Sequence, residues 1–191
     1  MTLKFDSGQH IYSFDGVVIP SVTQVLPEMQ FYCTPERLEE TRQEGEESHS
    51  MIKMFFDAGS QETFGDPMLE DLKKWLDENR SVVGEVVLYE KSLFSGKNRF
   101  AGSPDCIFQK AVVDFKRSRG DAKRHALQLA GYHLLSQENK IAPKTKNWLI
   151  VYRTKTGFRC MNVYDEEAEK VFLLLVKGYW IDRAVQSYFK N

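Results

Sequence analysis

The chain opens on an alternation of apolar and polar positions, Leu3, Phe5, Ile11, Tyr12 and Phe14 and then Val17 to Ile19, interrupted at Ser7-Gly8 and Asp15-Gly16. Alternation is the period of a strand, and Ser-Gly and Asp-Gly supply the positive φ of tight turns, so the pattern predicts a β-hairpin or meander. Pro20 ends it, and Ser21 is placed to cap a short helix through Val25 and Leu26. From Thr34 to Ala58 the spacing changes to steps of three and four. Thr34 as N-cap, Pro35 at the first helical position and Glu36 near the positive end of the dipole predict a long helix that Gly59 stops. Its inward stripe is Leu38, Thr41, Gly45, His49 or Ser48, Ile52 and Phe56.

After a loop from Gly59 to Pro67, the positions Met68, Leu69, Leu72, Trp75 and Leu76 predict a second amphipathic helix ending near Arg80. Residues 82–94, 100–108 and 111–115 are rich in β-branched and aromatic side chains and are joined by turns at Gly96-Lys97-Asn98 and Gln109-Lys110. They predict an antiparallel meander. Asp121 caps a helix to about Gln137, with Leu127, Ala130, Leu134 and Leu135 toward the sheet. A hairpin at 147–153 and 158–164 turns at Lys155-Thr156-Gly157. A closing helix from Asp165 presents Ala168, Val171, Phe172, Leu175, Tyr179 and Ile181 inward. This order predicts an α/β fold, one domain over 1–191, with a mixed central β-sheet whose antiparallel meander spans 82–116 and is flanked by helices.

Composition narrows the class. An apolar share of 42%, with 13 Phe, 8 Tyr and 3 Trp, supplies a core, while 28% charged residues argue against a membrane or fibrous protein. The longest strongly apolar run, Val171 to Val176, falls far short of the ~20 residues that span a bilayer. The first residues, Met-Thr-Leu-Lys-Phe-Asp, lack the apolar core of an export signal, so the cytoplasm is the expected compartment. Cys33, Cys106 and Cys160 have no paired spacing of the kind zinc sites and iron–sulfur clusters use, and are expected to be free, partly buried thiols. A net charge of -1 gives no global pull toward nucleic acid, so any such case rests on local clusters.

One constellation carries chemistry. Asp114 and Lys116 stand at alternate positions of a predicted strand and therefore share a face, with Phe115 pointing into the core. The preceding strand carries Asp105 in Ala-Gly-Ser-Pro-Asp, and a short meander sets Asp105 beside Asp114. Two adjacent carboxylates repel unless a cation joins them. Hard Mg²⁺ or Mn²⁺ binds such oxygens, and phosphodiester hydrolysis needs a deprotonated water beside an anionic phosphate. Lys116 adds a positive charge able to orient or acidify that water and to stabilise the transition state. Arg117, Arg119, Lys123 and Arg124 form a basic cluster suited to a DNA backbone. Gly45 costs its helix about 1 kcal/mol relative to alanine and needs a reason to be tolerated, of which a close approach to the sheet would be one.

Pro104-Asp105 followed by Asp114-Phe115-Lys116 resembles the motif of the PD-(D/E)XK nuclease superfamily. Gly45 to His49, Gly102 to Asp105, Asp114 to Lys116 and Gln128 to Tyr132 resemble, in order, the Gly-x-x-x-His, Gly-x-x-Asp, Asp-x-Lys and Gln-x-x-x-Tyr motifs of its RecB-like exonuclease branch. The stretch YEKSLFSGKNRFAGSPD, residues 89–105, is also similar to members of the family. The likeness covers residues 45–132. It implies a restriction-endonuclease-like core holding Mg²⁺ or Mn²⁺ through His49, Asp105, Asp114 and the backbone carbonyl of Phe115. Asp105, Asp114 and Lys116 would be catalytic, and Gln128 and Tyr132 would support the site or touch DNA. An upstream glutamate recurs in relatives, and Glu90 fits it better than Glu85 by its place in the sequence. The four cysteines of the cluster-bearing members are absent, which excludes an iron–sulfur cluster. The implied activity is a metal-dependent DNA exonuclease in recombination, repair or phage DNA processing. A structure-specific endonuclease on the same core and a non-catalytic DNA-binding module are the alternatives.

Overall fold

Residues 2–6, 8–27, 35–117, 119–141 and 144–190 are described by a computed structural model, with the backbone alone for 35, 37, 38, 41 and 42. Ser7, Cys33, the expected cap Thr34 and the side chains of Leu38 and Thr41 lie outside the described residues.

The opening alternation forms an antiparallel sheet of β1 (Leu3–Asp6), β2 (Ile11–Phe14) and β3 (Val17–Ile19). Asp15 and Gly16 take φ of 47° and 83° in the turn between β2 and β3. Residues 21–26 are a turn and not the expected helix. Ser21 Oγ does accept from the Gln24 N–H at 3.1 Å, and the Val25 N–H reaches the Ser21 carbonyl at 3.4 Å, so one turn forms; the segment is anchored by Val22 N–H donating to the Ala101 carbonyl at 2.8 Å and Ala101 N–H to that of Pro20 at 2.9 Å.

Helix α1 spans Pro35–Asp57 and α2 spans Pro67–Val83. Asp66 caps α2, its carboxylate accepting from the N–H groups of Met68 and Leu69 at 2.8 and 3.1 Å. The helix runs past Arg80 because its stop is Gly84, at φ 77°, whose N–H donates to the Arg80 carbonyl. The strand expected from residue 82 therefore begins later. It also divides, into β4 (Val86–Tyr89) and β5 (Leu93–Ser95), and the next expected strand divides into β6 (Phe100–Gly102) and β7 (Cys106–Phe108). The breaks fall where Glu90 turns to φ 47° and where Pro104 has no N–H for a ladder.

Strands β5 and β6 pair with each other, while β4, β7 and β8 (Val112–Lys116) form the antiparallel meander of the main sheet. Helix α3 (Ala122–Glu138) crosses over from β8 to β9 (Trp148–Thr154), which lies parallel to β8 as such a connection requires. β10 (Gly157–Asn162) returns antiparallel, and α4 (Ala168–Lys190) closes the fold. The order β10-β9-β8-β7-β4 is a mixed sheet in an α/β fold. Alternation along β8 divides the core. Val112 packs with Ile150, Leu129 and Phe172 on the α3–α4 side, and Val113 and Phe115 pack with Phe55, Leu69 and Trp75 on the α1–α2 side.

Two expected stripes need correction. On α3, Leu127 and Leu134 are only half-buried, whereas Ala126, Gln128, Leu129, Tyr132 and Leu135 are buried. The helix is held between the sheet, the β5–β6 hairpin and α4, so it has no single wet face. On α4, Ala168, Phe172 and Val176 are buried, but Val171 and Ile181 are 42% and 64% exposed, and every residue from 181 to 190 is exposed. Cys106 is buried and Cys160 exposed, so burial holds for only one of these two thiols. Among the described residues no helix is long and apolar enough to cross a membrane.

Candidate metal centre

The β7–β8 register pairs Cys106 with Val113, so its continuation by one residue sets Asp105 opposite Asp114. Asp105 is not itself within a strand; it sits in the bend that follows Pro104, just before β7. From there its Oδ2 accepts from the Phe115 N–H at 2.7 Å. His49 of α1 brings Nδ1 to 3.7 Å from Asp105 Oδ1 and 3.5 Å from Glu90 Oε1. Glu90 is tied to the same bend, its N–H shared between the carbonyls of Pro104 and Asp105 at 3.1 and 3.2 Å. One donor atom from each of His49, Glu90 and Asp105 lies within 4.8 Å of the others.

Asp114 is 1% exposed and occupies the inner side of this group. Lys116 Nζ lies 2.7 Å from Asp114 Oδ2, and Gln128 Nε2 donates to Oδ1 at 3.1 Å. The lysine contact supplies charge without a well-directed hydrogen bond, so buried Oδ2 keeps acceptor capacity unused. Gln128 Nε2 also lies 3.3 Å from Tyr132 Oη, which makes these two residues of α3 a buried support for Asp114. Gly102 lets the tyrosine in: a Cβ there would stand 3.0 Å from Tyr132 Cε1 and 2.9 Å from Val22 Cγ2.

The charges are interdependent. The Glu90 carboxylate foremost, then those of Asp105 and Asp114, hold the His49 imidazole up at about 9 against burial and Lys116. Burial first and the Asp114 charge second push the Asp105 carboxyl up to about 7, with His49, Lys116 and the Phe115 N–H opposing. Burial works against the Lys116 charge, but Asp114 and Asp105 outweigh it and hold the ammonium above its ordinary range. Burial, reinforced by Asp114 and Asp105, lifts the Tyr132 phenol well above its ordinary value.

His49, Glu90 and Asp105 could hold a metal ion between them. Around an octahedral ion with ligands at roughly 2.1 Å, neighbouring donors stand about 3 Å apart and opposite ones about 4.2 Å. The separations of His49 Nδ1 from the two carboxylates, 3.5 and 3.7 Å, lie between these two values, close enough for one ion to draw the three groups together. The geometry thus brings His49 and Asp105 together as expected and adds Glu90, whereas Asp114 faces Lys116 and Gln128. Glu90 was legible only as a position in a family-like stretch; its left-handed backbone, unusual for a glutamate, has no sequence signal.

Other expectations fare differently. Gly45 is half-exposed, and nothing stands within 4 Å of where its Cβ would be, so no close approach to the sheet explains it. In the basic cluster, Arg117 pairs with Glu44, Arg124 donates to the Pro27 carbonyl, and Arg119 Nε lies 3.2 Å from Met161 Sδ. Lys123 is exposed.

Comparison with known proteins adds little to this geometry. No family model matches the chain, and no curated protein does. Among solved structures, the crystal structure of SSO0001 is similar at 20% identity with a TM-score of 0.42, over 82% of this chain and 72% of that one. A likeness at that level carries nothing about activity.

Proposed function

We propose that this chain is a metal-dependent DNA nuclease whose centre is His49, Glu90, Asp105, Asp114 and Lys116. The observation that carries the reading is the convergence of His49, Glu90 and Asp105 within 4.8 Å, beside a buried carboxylate whose counter-ion is a lysine two residues on. A structural ion pair needs neither the third carboxyl group nor the histidine. His49, Glu90 and Asp105 would hold Mg²⁺ or Mn²⁺, with Asp114 Oδ2 and the Phe115 carbonyl as the further oxygens the resemblance implies. When bound, such an ion supplies Lewis-acid activation of water and neutralisation of phosphate charge.

The remaining roles belong to the chain. Hydrolysis joins a water oxygen to phosphorus and breaks the bond to one ester oxygen, and negative charge builds on the phosphoryl oxygens. Lys116, held in its charged form, is the fixed positive charge for that state and needs no reorganisation to serve it. The Phe115 N–H holds Asp105 in one orientation, and Gln128 does the same for Asp114. Lys123, which is exposed, is better placed to meet phosphates along the strand than Arg117, Arg119 and Arg124, which have partners.

Exonuclease action on DNA ends, in recombination, repair or phage DNA processing, is the reading favoured by the RecB-like order of motifs; those motifs encode hydrolysis and leave end recognition open. Digestion of closed circular DNA alongside linear DNA labelled at either end, with Mg²⁺ or Mn²⁺, tests it. Loss of label from linear DNA alone supports an exonuclease and gives its polarity. Cutting of the circle supports the endonuclease reading. A protein that cuts neither and whose melting temperature does not respond to Mn²⁺ is the non-catalytic module.

A further inference from the structure

A cleft of about 450 Å³ opens beside the centre, between α1, the start of α2 and the sheet. His49 and Lys116 form part of its wall, so it is continuous with the proposed site. Its floor is apolar, made by Met51, Met68 and Phe115, and Phe158 lines it half-buried. Arg153 stands across the β9–β10 hairpin from Phe158 in the pairing register, and residues so paired share a face of the sheet. Arg153 is exposed, and its side chain has no ion pair or hydrogen bond among the described residues. The acids of the wall are partly committed, Glu44 to Arg117 and Asp66 to the first turn of α2; Glu47 is exposed.

Gly45 lines the same cleft. Its φ is not positive, and nothing stands within 4 Å of where a Cβ would be, so neither backbone conformation nor packing among the described residues calls for glycine. Glycine nevertheless weakens a helix relative to alanine. What it leaves is room, one helical turn before His49, for a group that comes from outside.

We propose that this cleft receives one unpaired nucleotide of the DNA strand being cut, its base stacked on Phe158, its phosphate at Arg153 and its sugar–phosphate backbone passing over Gly45. The inference rests on the nuclease reading and deepens it. A base still paired in a duplex is not free to enter, so the cleft makes a single-stranded or frayed end the preferred substrate. An apolar aromatic floor with a cation at its rim is the arrangement by which single strands are held without sequence preference. The volume lies within the roughly 300–1,000 Å³ of small-molecule sites.

The test is binding of a fluorescent oligothymidylate and of a blunt duplex in EDTA, where the strands stay intact, to wild type, Phe158→Ala, Arg153→Ala and Gly45→Leu. Phe158→Ala is expected to weaken single-strand binding by roughly tenfold. Arg153→Ala should also lower the slope of log affinity against log salt by about 0.7. Gly45→Leu enters open space on a helix, so its melting temperature should hold or rise while its single-strand binding falls. Duplex binding should change little in all three. Single-strand binding as tight as wild type in all three variants overturns the inference, as does an equal loss for duplex and single strand. If wild type cuts DNA but the variants bind normally, only this inference fails; if wild type neither binds nor cuts DNA, the nuclease reading fails with it.

Discussion

The backbone N–H of Phe115 donates to Asp105 Oδ2 at 2.7 Å, which leaves Asp105 Oδ1 turned toward His49 Nδ1 at 3.7 Å. A main-chain donor on β8 thus fixes the orientation of a carboxylate that lies outside the strands. The expected consequence is that Asp105→Asn keeps the fold but loses Mn²⁺ binding, since the amide has no anionic oxygen to offer beside His49. Calorimetric titration with Mn²⁺ checks this; binding at wild-type strength would remove Asp105 from the centre.

The same group predicts where the histidine titrates. In the metal-free protein, NMR should place His49 at about 9, and Glu90→Gln should bring it down further than Asp105→Asn does, because the Glu90 contact is the larger cause. A His49 titration near 6.5 in the wild type would mean that the contact does not persist in solution.

Stability and metal affinity should respond to pH in opposite directions. The folded pKa of His49 is raised from 6.5 to about 9, so its contribution is present below 6.5 and is lost as pH rises through 9. Asp105 is raised from 3.8 to about 7, so the folded metal-free protein also holds this proton more tightly than the unfolded chain, and that contribution is lost as pH rises through 7. Through these two groups, metal-free stability falls as pH rises across this window. Mn²⁺ must displace the same protons, so its affinity rises with pH. The increase in melting temperature produced by Mn²⁺ should therefore be larger at pH 9 than at pH 6, and a smaller increase at pH 9 would contradict the assignment.

Lys116 and Asp114 should separate in their effects. Lys116→Ala leaves a carboxylate 1% exposed without its counter-ion, at a cost of about 1–3 kcal/mol, less than for a fully buried pair because Lys116 itself is 30% exposed. It should abolish cleavage yet preserve Mn²⁺ binding, by removing a competing cation from Asp114 Oδ2. Asp114→Asn should abolish cleavage and weaken Mn²⁺ binding. Turnover and Mn²⁺ titration on the same preparations distinguish these outcomes, and a Lys116→Ala protein that cuts at the wild-type rate would refute the role of Lys116.

Much of this site is written in strand periodicity. Alternation puts Asp114 and Lys116 on one face, and the short β7–β8 connection brings Asp105, just before β7, opposite Asp114. What could not be read depends on tertiary contacts. His49 lies on a periodic stripe, but nothing local says that the stripe meets the bend after Pro104. The turn at Glu90 and the bend after Pro104 each break an expected strand, and together they place Glu90 and Asp105. The burial of Gln128 and Tyr132 was hidden because α3 is enclosed on several sides, so hydrophobic spacing has no wet face to contrast with. Gly102 shows the reverse case: the glycine is plain in the sequence, while its reason, the Tyr132 ring within 3.0 Å of a would-be Cβ, appears only in three dimensions. Gly102→Ala should accordingly cost about 1–3 kcal/mol through overpacking. Denaturant unfolding measures it, and a variant as stable as wild type would show that the Tyr132 ring yields freely.

The most direct measurement is cleavage of end-labelled single-stranded linear DNA by EDTA-treated wild type and Asp105→Asn, prepared in parallel, before and after addition of Mn²⁺. Neither protein is expected to cleave without metal; wild type should cleave once Mn²⁺ is present, and Asp105→Asn should not under the same conditions. Wild type that leaves the DNA intact at saturating Mn²⁺, or Asp105→Asn that cuts it at the wild-type rate, would contradict the proposed centre.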